Sequence, residues 1–185
     1  MGIAIADEFH KRGAEVTLVI GPVTQPLYGN YSIEKVTSAA EMYTACVRIF
    51  PGVDMAVMSA AVADYTISNP SPQKIKKQHG TLTIELNKTA DILKTMGENK
   101  RDNQFLAGFA LETNNEKEFA LKKLHSKNAD MIVLNSLNDA GAGFGHNTNK
   151  ITIFDKKGNE FHFDTKSKTA LAADIVNTIL KISNA

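Results

Sequence analysis

One stretch of the sequence, residues 54–77, puts the residue types that a phosphate-rich ligand requires next to one another. It opens as an apolar strand over residues 55–58 and continues in the small residues Ser59, Ala60 and Ala61. Ligands of open α/β sheets bind beyond the carboxyl ends of the strands, and small side chains there let backbone amides come close to them. The same alanines would also serve to pack a helix against the sheet, and the sequence leaves both interpretations open.

A carboxylate and a group of lysines follow in the same stretch. Asp64 is a hydrogen-bond acceptor for a ligand, a carboxylate beside a metal ion, or a cap for the next turn. Lys74, Lys76 and Lys77 form a charge run, which is usually a solvated face. A lysine about 4 Å from a phosphate nevertheless gains about 4 kcal/mol at an effective dielectric constant of about 20, before screening, against about 0–1 kcal/mol for a surface salt bridge. The position of the run, directly after the strand-end loop, favours a role in phosphate binding.

A second set of candidates lies on predicted helices. Lys123 and Lys127 are four residues apart, so they share one helix face. Ala90, Asp91 and Ile92 begin another helix, whose free amides could hold an anion or a ligand carbonyl. Ordinary surface lysines and an ordinary capping aspartate explain the same residues, and both explanations stay open at this point.

The elements that position these residues alternate between helix and strand. A helix start is indicated by Ser38, a capping residue with Glu41 three positions on. Gly108 inside a predicted strand indicates a close approach to the backbone, and residues 138–149 are predicted as loop. The pattern predicts helices over residues 2–12, 38–50, 90–100, 115–127 and 169–182, and strands over residues 15–20, 34–37, 55–58, 81–86, 105–111, 130–135, 151–155 and 160–164.

This alternation is typical of an α/β fold: a three-layer, Rossmann-like, mostly parallel sheet. The last two strands flank Lys157-Gly158-Asn159, which predicts a C-terminal antiparallel hairpin. We expect a single domain over residues 1–185. Folds of this kind usually begin with a strand and a glycine-rich turn before the first helix. Because this sequence starts on the helix, we expect that strand and its loop to be missing from it.

Composition excludes several classes of protein. A net charge of +1 argues against a general nucleic-acid binder, and no apolar run is long enough to span a bilayer. Cys46 is the one cysteine, which excludes an internal disulfide and fits a reducing compartment such as the cytoplasm; its helical context predicts a buried, inert thiol. The histidines lack metal-ligand spacing, and the glycines at 141, 143 and 145 follow no strand–helix turn, so neither a protein-caged metal nor a dinucleotide fingerprint is predicted.

Several segments, taken together, resemble the phosphopantothenate–cysteine ligase family, the second half of a bacterial bifunctional coenzyme A biosynthesis protein. They are, in chain order, GIAIADEFHKRGAEVTLVIGPV, SAAVADY, KIKK, NKTADIL and GFALETNN. The likeness extends over nearly the whole chain. AAVADY followed closely by KIKK is its specific part, and the pattern G-F-x-x-E-T adds independent support.

The resemblance implies a reaction and its participants. CTP, carrying Mg²⁺, activates the carboxylate of 4′-phosphopantothenate as an acyl-cytidylate, and pyrophosphate leaves. The amine of L-cysteine then attacks to give phosphopantothenoylcysteine and CMP. Such a reaction needs positive charge on the triphosphate and oriented amides at the carboxylate. The family also implies a homodimer, for which residues 74–88 are the candidate contact, and a fused or associated flavin-dependent decarboxylase domain.

The resemblance also assigns roles to residues of this sequence. Lys74, Ala60 and Ala61 match the positions that act on the triphosphate and the acyl group. The family often has proline where Ala90 stands. The positions that match nucleotide contacts are Ser59, Ala60, Asp64, Lys74, Ala90, Asp91, Ile92, Leu93, Phe109, Lys123 and Lys127.

One departure from the family limits the expected activity. A strand and a loop with an asparagine precede the residues that match Met1 and Gly2 in the family, and that asparagine is tied to conversion of the cytidylate. It is not in this sequence, so we expect weak or no turnover by this chain alone. Two alternatives remain. One is an NAD(P)-dependent Rossmann oxidoreductase, although Ile20-Gly21-Pro22 ends the strand that would be second in that fold without its acidic residue. The other is a non-catalytic nucleotide-binding or interaction domain.

Overall fold

The computed structural model describes residues 1–76, 80–136 and 147–183, which form helices and strands in alternation. The helices are α1 Gly2–Lys11, α2 Ala39–Ile49, α3 Ile92–Glu98, α4 Glu116–Ser126 and α5 Lys168–Ser183, with a short 3₁₀ turn at Phe50–Gly52 after α2. The strands are β1 Thr17–Ile20, β2 Ser32–Lys35, β3 Met55–Met58, β4 Tyr65–Ile67, β5 Leu86–Lys88, β6 Phe105–Glu112, β7 Met131–Ser136, β8 Thr148–Asp155 and β9 Glu160–Ser167.

The central sheet has the strand order β3-β6-β7-β8-β9. β3, β6 and β7 run parallel, whereas β8 and β9 are antiparallel to their neighbours, so the sheet is mixed. β1 and β2 form a separate parallel pair, and β4 and β5 a separate antiparallel pair. The α/β class and the C-terminal hairpin are confirmed, and the hairpin strands extend beyond the predicted bounds at both outer ends.

Helices cover both faces of the central sheet, which gives the predicted three layers. On one face, α1 and α5 contribute Ile5 and Ile175 to a core that includes Ala107 and Val133 of the sheet. On the other face, α2, α3 and α4 pack against the opposite sides of the same strands, with Leu106 at the centre of that core. Side chains of successive strand residues therefore alternate between the two cores, as the pleat requires.

Local signals set several element ends. Gly13 follows α1 with φ of 87°, a left-handed conformation that glycine adopts without strain. The Ser38 side chain accepts a hydrogen bond from the Glu41 amide at the start of α2, as the capping pattern predicts. Cys46 is buried on α2, and burial, followed by the charge of Glu34, raises the pKa of its thiol to about 11.

The strand predicted over residues 81–86 is wrong. The strand in this region is β5, which shares only Leu86 with the prediction and pairs with β4. Leu82 and Ile84 fit the alternating pattern of a strand, yet both are largely exposed and lie outside any described ladder. An alternating sequence pattern indicates which side chains would share a face of a strand. A strand also needs a neighbouring strand that pairs with its backbone hydrogen-bonding groups. β4 itself falls in a segment that the sequence assigned to loop.

Other predictions fall partly or wholly outside the described residues. Lys77, the glycines at 141, 143 and 145, and most of the loop predicted over residues 138–149 belong to these parts of the chain. Among the residues that are described, no helix has the length and apolar character needed to cross a membrane.

Candidate functional site

The segment after β3 presents small residues to solvent. Ala60 and Ala61 are exposed, so packing a helix against the sheet is not what they do. Ser59 is half-buried, and a Cβ built on Gly2 would lie 2.5 Å from its Oγ, so the start of α1 touches the tip of β3. Ala60 and Ala61 are therefore exposed next to the contact between β3 and the start of α1, and their contact with a ligand stays a prediction.

Thr89 fixes the course of the chain beyond these alanines. Its Oγ1 donates a hydrogen bond to the Ala63 carbonyl oxygen at 2.7 Å, and its amide donates to the Asp64 carbonyl oxygen at 2.9 Å. Asp64 precedes strand β4 and no helix, so the capping explanation does not apply to it. Its side chain is exposed. Sequence reasoning missed Thr89, although it lies within NKTADIL.

Asp91 joins the start of α3 to the end of α4. One carboxylate oxygen caps α3 by accepting from the Lys94 amide at 2.9 Å, and the other accepts from Lys127 Nζ at 2.6 Å. Burial alone would raise the pKa of Asp91, but the hydrogen bonds from Lys127 and the Lys94 amide and the charge of Lys123 outweigh it and lower the pKa. The prediction that Asp91 caps α3 is therefore confirmed, and Asp91 also forms an ion pair with Lys127.

The junction of α3 and α4 explains how Lys127 reaches Asp91. A Cβ at Gly97 would lie 1.8 Å from the Lys127 carbonyl oxygen, so only glycine allows the two helices to come this close. Asn128 follows in the left-handed region with φ of 46°, and its Nδ2 donates to the Gly97 carbonyl oxygen at 2.9 Å. Because asparagine adopts this conformation more readily than most residues, α4 ends here and Lys127 faces α3.

Lys123 lies half-buried within a group of opposite charges. Burial, the largest effect, lowers the pKa of its ammonium, and the positive charge of Lys127 lowers it as well. The negative charges of Glu112, Asp91 and Asp64 raise the pKa, but the net pKa stays below the usual value of a lysine. Four charged groups thus influence the pKa of this ammonium. We call Asp64, Asp91, Glu112, Lys123 and Lys127 the charge cluster.

The charge cluster assembles residues from separate parts of the chain. Asp64 follows β3, Asp91 precedes α3, Glu112 ends β6 and the two lysines lie on α4. Four of its members were predicted, and Glu112 was missed as a site residue although it is the acid of GFALETNN. Because shifted pKa values cluster at functional sites, a partly desolvated cation beside several carboxylates makes the charge cluster the candidate site.

Other predicted residues are not brought into the charge cluster. Lys74 is exposed in the segment between β4 and β5 and forms no hydrogen bond or ion pair among the described residues. Phe109 packs against the core of α1 and α5, on the opposite face of the sheet from α3 and α4. Ile92 and Leu93 are buried core side chains, so only their backbone could meet a ligand. Their proposed ligand contacts stay predictions.

The close approach predicted at Gly108 has a structural cause. A Cβ there would lie 2.7 Å from Leu93 Cδ2 and 2.9 Å from Ile132 Cδ1. The space that a side chain at Gly108 would take is therefore filled by core atoms of α3 and β7. Gly108 lets α3 settle onto the sheet and so positions the Asp91 cap, but it does not face a ligand.

A cleft of about 720 Å³ lies apart from these residues. It is bordered by residues 113–117, at the end of β6 and the start of α4, and by the hairpin residues Lys150 and His162. None of the predicted site residues lines it. Its volume is open space beside the hairpin, so we place the candidate site at the charge cluster, where the chemistry-bearing groups converge.

Comparison with known proteins identifies relatives of the whole chain. The profile of a family described as "DNA/pantothenate metabolism flavoprotein C-terminal domain" matches residues 1–182. The coenzyme A biosynthesis bifunctional protein CoaBC of Bacillus subtilis is 42% identical over 185 residues, which cover 99% of this chain and 45% of that protein. A protein of an unknown prokaryotic organism named cysteine/cysteine sulfinic acid decarboxylase is 51% identical over 183 residues, 98% of this chain and 51% of that one.

A solved structure has the same fold. The crystal structure of the C-terminal domain of CoaBC matches with a TM-score of 0.79 and 39% identity, over 98% of this chain and 82% of that chain. The chain spans about half the length of the curated relatives that it matches. The resemblance noted in the sequence motifs is therefore confirmed along the chain.

Proposed function

Because the chain belongs to the family of DNA/pantothenate metabolism flavoprotein C-terminal domains, we propose that it joins 4′-phosphopantothenate to L-cysteine in coenzyme A biosynthesis. CTP would supply the activation. The observation that carries the proposal is the position of Lys123, a desolvated ammonium among carboxylates from three separate segments. A polyanionic nucleotide would add to the negative charge that these carboxylates place around the cation, and the nucleotide-dependent reaction is the one that the resemblance of the sequence motifs implies.

The proposed roles follow from chemistry and position. Lys123 and Lys127 would bind nucleotide phosphates, and the exposed backbone of Ala60 and Ala61 would orient the carboxylate of 4′-phosphopantothenate for attack. Lys74, which is exposed between β4 and β5, would bind the triphosphate. Mg²⁺ would arrive with CTP and neutralise phosphate charge, and carboxylate oxygens such as those of Asp64 are the donors that it prefers. The amine of L-cysteine then displaces CMP from the activated acid.

Calorimetric titration of the chain with CTP, ATP and NADH, each with Mg²⁺, tests the proposal. We expect CTP to bind, and Lys74→Ala to weaken its binding by about tenfold, which corresponds to about 1.4 kcal/mol. Lys157→Ala is the matched control, because Lys157 lies in the β8–β9 turn at the other end of the parallel strands. It should leave the affinity unchanged.

Two results of the same titration would contradict the proposal, one the proposed function and the other the role of Lys74. Binding of NADH in preference to CTP would favour the oxidoreductase alternative. CTP binding that is equally tight in Lys74→Ala and in the unmodified chain would remove Lys74 from the site, since its role then has no energetic consequence.

We also propose that the protein is a homodimer, built through the β4–β5 region. Large apolar side chains of this region face solvent, and Ile67 and Leu86 lie opposite each other in the β4–β5 ladder. Apolar side chains exposed together on a monomer mark an interaction surface. They are Tyr65 (52% exposed), Ile67 (50%), Ile75 (62%), Leu82 (68%), Ile84 (58%) and Leu86 (52%). The relatives' greater length supports a further partner, a flavin-dependent decarboxylase domain, and the cytoplasm is the proposed compartment.

Sedimentation of the purified chain tests the dimer. We expect the unmodified chain to sediment as a dimer and the double variant Leu82→Lys with Ile84→Lys as a monomer, because two buried charges would face the partner. Phe119→Lys on α4, where the side chain is 39% exposed, is the control and should stay dimeric. A monomeric unmodified chain at micromolar concentration would contradict the proposal.

A further inference from the structure

Thr89 continues the pairing of β4 and β5 towards the candidate site. The last pair of that ladder is Tyr65 with Lys88. One step further, the Thr89 amide donates to the Asp64 carbonyl oxygen at 2.9 Å, and Thr89 Oγ1 donates to the Ala63 carbonyl oxygen at 2.7 Å. Because the second bond is made by a side chain, it can be removed without touching the ladder. Loss of the hydroxyl would therefore release Ala63 and leave the strand pairing intact.

The segment between β3 and β4 is held at both of its ends. At the β3 end, Ser59 touches the start of α1, where a Cβ built on Gly2 would lie 2.5 Å from its Oγ. Val62 is half-buried and packs against the core formed with α2, α3 and α4. At the β4 end, the hydrogen bond from Thr89 holds Ala63. Among the described residues, Thr89 is thus the side chain that fixes this segment by a hydrogen bond.

The hydroxyl bond acts on the residue that follows Ala63. The Ala63 carbonyl and the Asp64 amide belong to one planar peptide group, so a bond to that carbonyl restricts the direction in which the Asp64 side chain leaves the backbone. The Asp64 side chain is exposed and has no hydrogen bond of its own among the described residues. Its charge nevertheless acts on Lys123, whose pKa is lowered chiefly by burial and raised by this carboxylate and its acidic neighbours. The place of Asp64 in the charge cluster therefore depends on backbone contacts, of which Thr89 makes two.

Thr89 also adjoins a second acidic group of the charge cluster. Two residues further on, Asp91 accepts from the Lys94 amide at 2.9 Å, which caps α3, and from Lys127 Nζ at 2.6 Å. The stretch from Thr89 to Asp91 thus contacts the segment before β4 at one end and α4 at the other. In this way Asp64 and Asp91, which lie far apart in the sequence, are fixed relative to each other.

We propose that Thr89 is a positioning residue of the candidate site, whose hydroxyl holds Asp64 beside Lys123 for contact with a Mg²⁺-bound nucleoside triphosphate. Mg²⁺ prefers carboxylate and phosphate oxygens, and a carboxylate that is already held in place loses less conformational freedom on binding. The inference deepens the proposed function and rests on it for the identity of the ligand. The position of Asp64 does not rest on that function, so the test has one arm without nucleotide.

The first arm measures the pKa of the Lys123 ammonium in the free protein by NMR, from the side-chain carbon resonance that is missing in Lys123→Met. Thr89→Val keeps the shape of the side chain and removes the hydroxyl. Because Asp64 then loses its fixed position, we expect the pKa of Lys123 to fall, as it should in Asp64→Asn. Thr89→Ser keeps the donor and should keep the pKa. In the Asp64→Asn background, Thr89→Val should lower the pKa no further, since the two changes act through one carboxylate.

The second arm measures nucleotide affinity by calorimetric titration with CTP and Mg²⁺. We expect Thr89→Val to weaken binding by about threefold to tenfold, the range that the net contribution of one hydrogen bond gives. Thr89→Ser should recover the affinity. Ser68→Ala is the matched control, because Ser68 Oγ also donates across the β4–β5 ladder, to the Glu85 carbonyl oxygen at 3.2 Å, at the end away from the charge cluster. It should change neither the affinity nor the pKa of Lys123.

Either arm can overturn the role of Thr89. In the first, the decisive result is a pKa of Lys123 that Thr89→Val leaves unchanged, or lowers equally in the Asp64→Asn background. In the second, it is a CTP affinity that is the same in Thr89→Val and in the unmodified chain, or that falls as far in Thr89→Ser, because the hydroxyl is then not what matters. An unmodified chain that binds no CTP would contradict the proposed function instead, and the pKa of Lys123 alone then decides the role of Thr89.

Discussion

If CTP is the proposed co-substrate, we expect the Lys123→Met variant to bind it about tenfold or more weakly and to be at least as stable as the unmodified chain. The free protein holds this ammonium where burial lowers its pKa despite Glu112 and Asp91 nearby, so the charge costs free energy that the methionine side chain does not. Nucleotide phosphates would compensate that cost, and the variant loses this compensation. Calorimetric titration gives the affinity, and thermal unfolding gives the stability.

The pH dependence of the same residue gives a second measurement. A lysine whose pKa is lower in the folded than in the unfolded state makes stability rise as the pH climbs from its folded pKa towards its unfolded pKa. Phosphates would raise the pKa of Lys123, so CTP binding should take up protons in that range. Titration in buffers of different ionisation enthalpy detects the uptake, and Lys123→Met should abolish it.

The neighbouring Lys122 provides the control for Lys123. Its side chain is exposed on α4, so Lys122→Met should change neither the CTP affinity nor the proton uptake. A marked loss of thermal stability in Lys123→Met would show that the residue acts in the fold, and unchanged CTP affinity would remove it from the site.

We expect the replacement of Asp130 by alanine to lower the free energy of unfolding by about 3–5 kcal/mol. The free energy of unfolding of a whole domain is typically about 5–15 kcal/mol, so the loss is a large part of it. Asp130 is 2% exposed. It accepts from Lys100 Nζ at 2.7 Å and from the Leu106 amide at 2.8 Å, and it also pairs with Lys156. Without the carboxylate, the Lys100 side chain, 8% exposed, keeps a buried charge with its main partner gone.

Urea denaturation measures this loss of stability, and two further variants show whether it arises from the buried ion pair. The double variant Asp130→Leu with Lys100→Met removes both charges and should recover much of the stability, because an apolar pair of similar size often replaces a buried ion pair without cost. Asp102→Ala, an exposed aspartate in the adjoining loop, should change stability by no more than about 0.5 kcal/mol. Similar stability for Asp130→Ala and the unmodified chain would refute the prediction.

Acid should reveal the same interaction. Burial raises the pKa of Asp130, but the hydrogen bonds from Lys100, Lys156 and the Leu106 amide prevail, and the net pKa is lowered. A carboxylate with a lowered folded pKa contributes stability that is present above its unfolded pKa and is lost as the pH falls through the folded pKa.

Elements with a local signal were predictable from the sequence. The Ser38 cap, the stop at Gly13 and the continuous apolar strand of β7 depend on residues near one another in the chain, and the structure confirms all three. The segment over residues 81–86 was not predictable in this way. Whether an alternating segment becomes a strand depends on a distant partner, here β4, which reaches only as far as Leu86.

In the candidate site, too, contacts within one helix were predictable from the sequence, whereas contacts between distant segments were not. The i, i+4 spacing predicted that Lys123 and Lys127 share a face, but no spacing indicated that Asp91 would be the partner of Lys127. That pair depends on the close packing of α3 and α4 at Gly97, which is a tertiary contact. Lys74 is the converse case, because its motif was clear and the structure gives it no partner among the described residues.

The burial of Cys46 has a consequence for work with sulfur compounds. A thiol reacts in disulfide exchange as its thiolate, and with a pKa of about 11 very little of Cys46 is in that form near neutral pH. Oxidised amino-acid disulfides and alkylating reagents should therefore leave the folded chain unmodified, and labelling of this sulfur would report unfolding. We therefore expect no mixed disulfide at Cys46 when the folded chain is incubated with millimolar cystine.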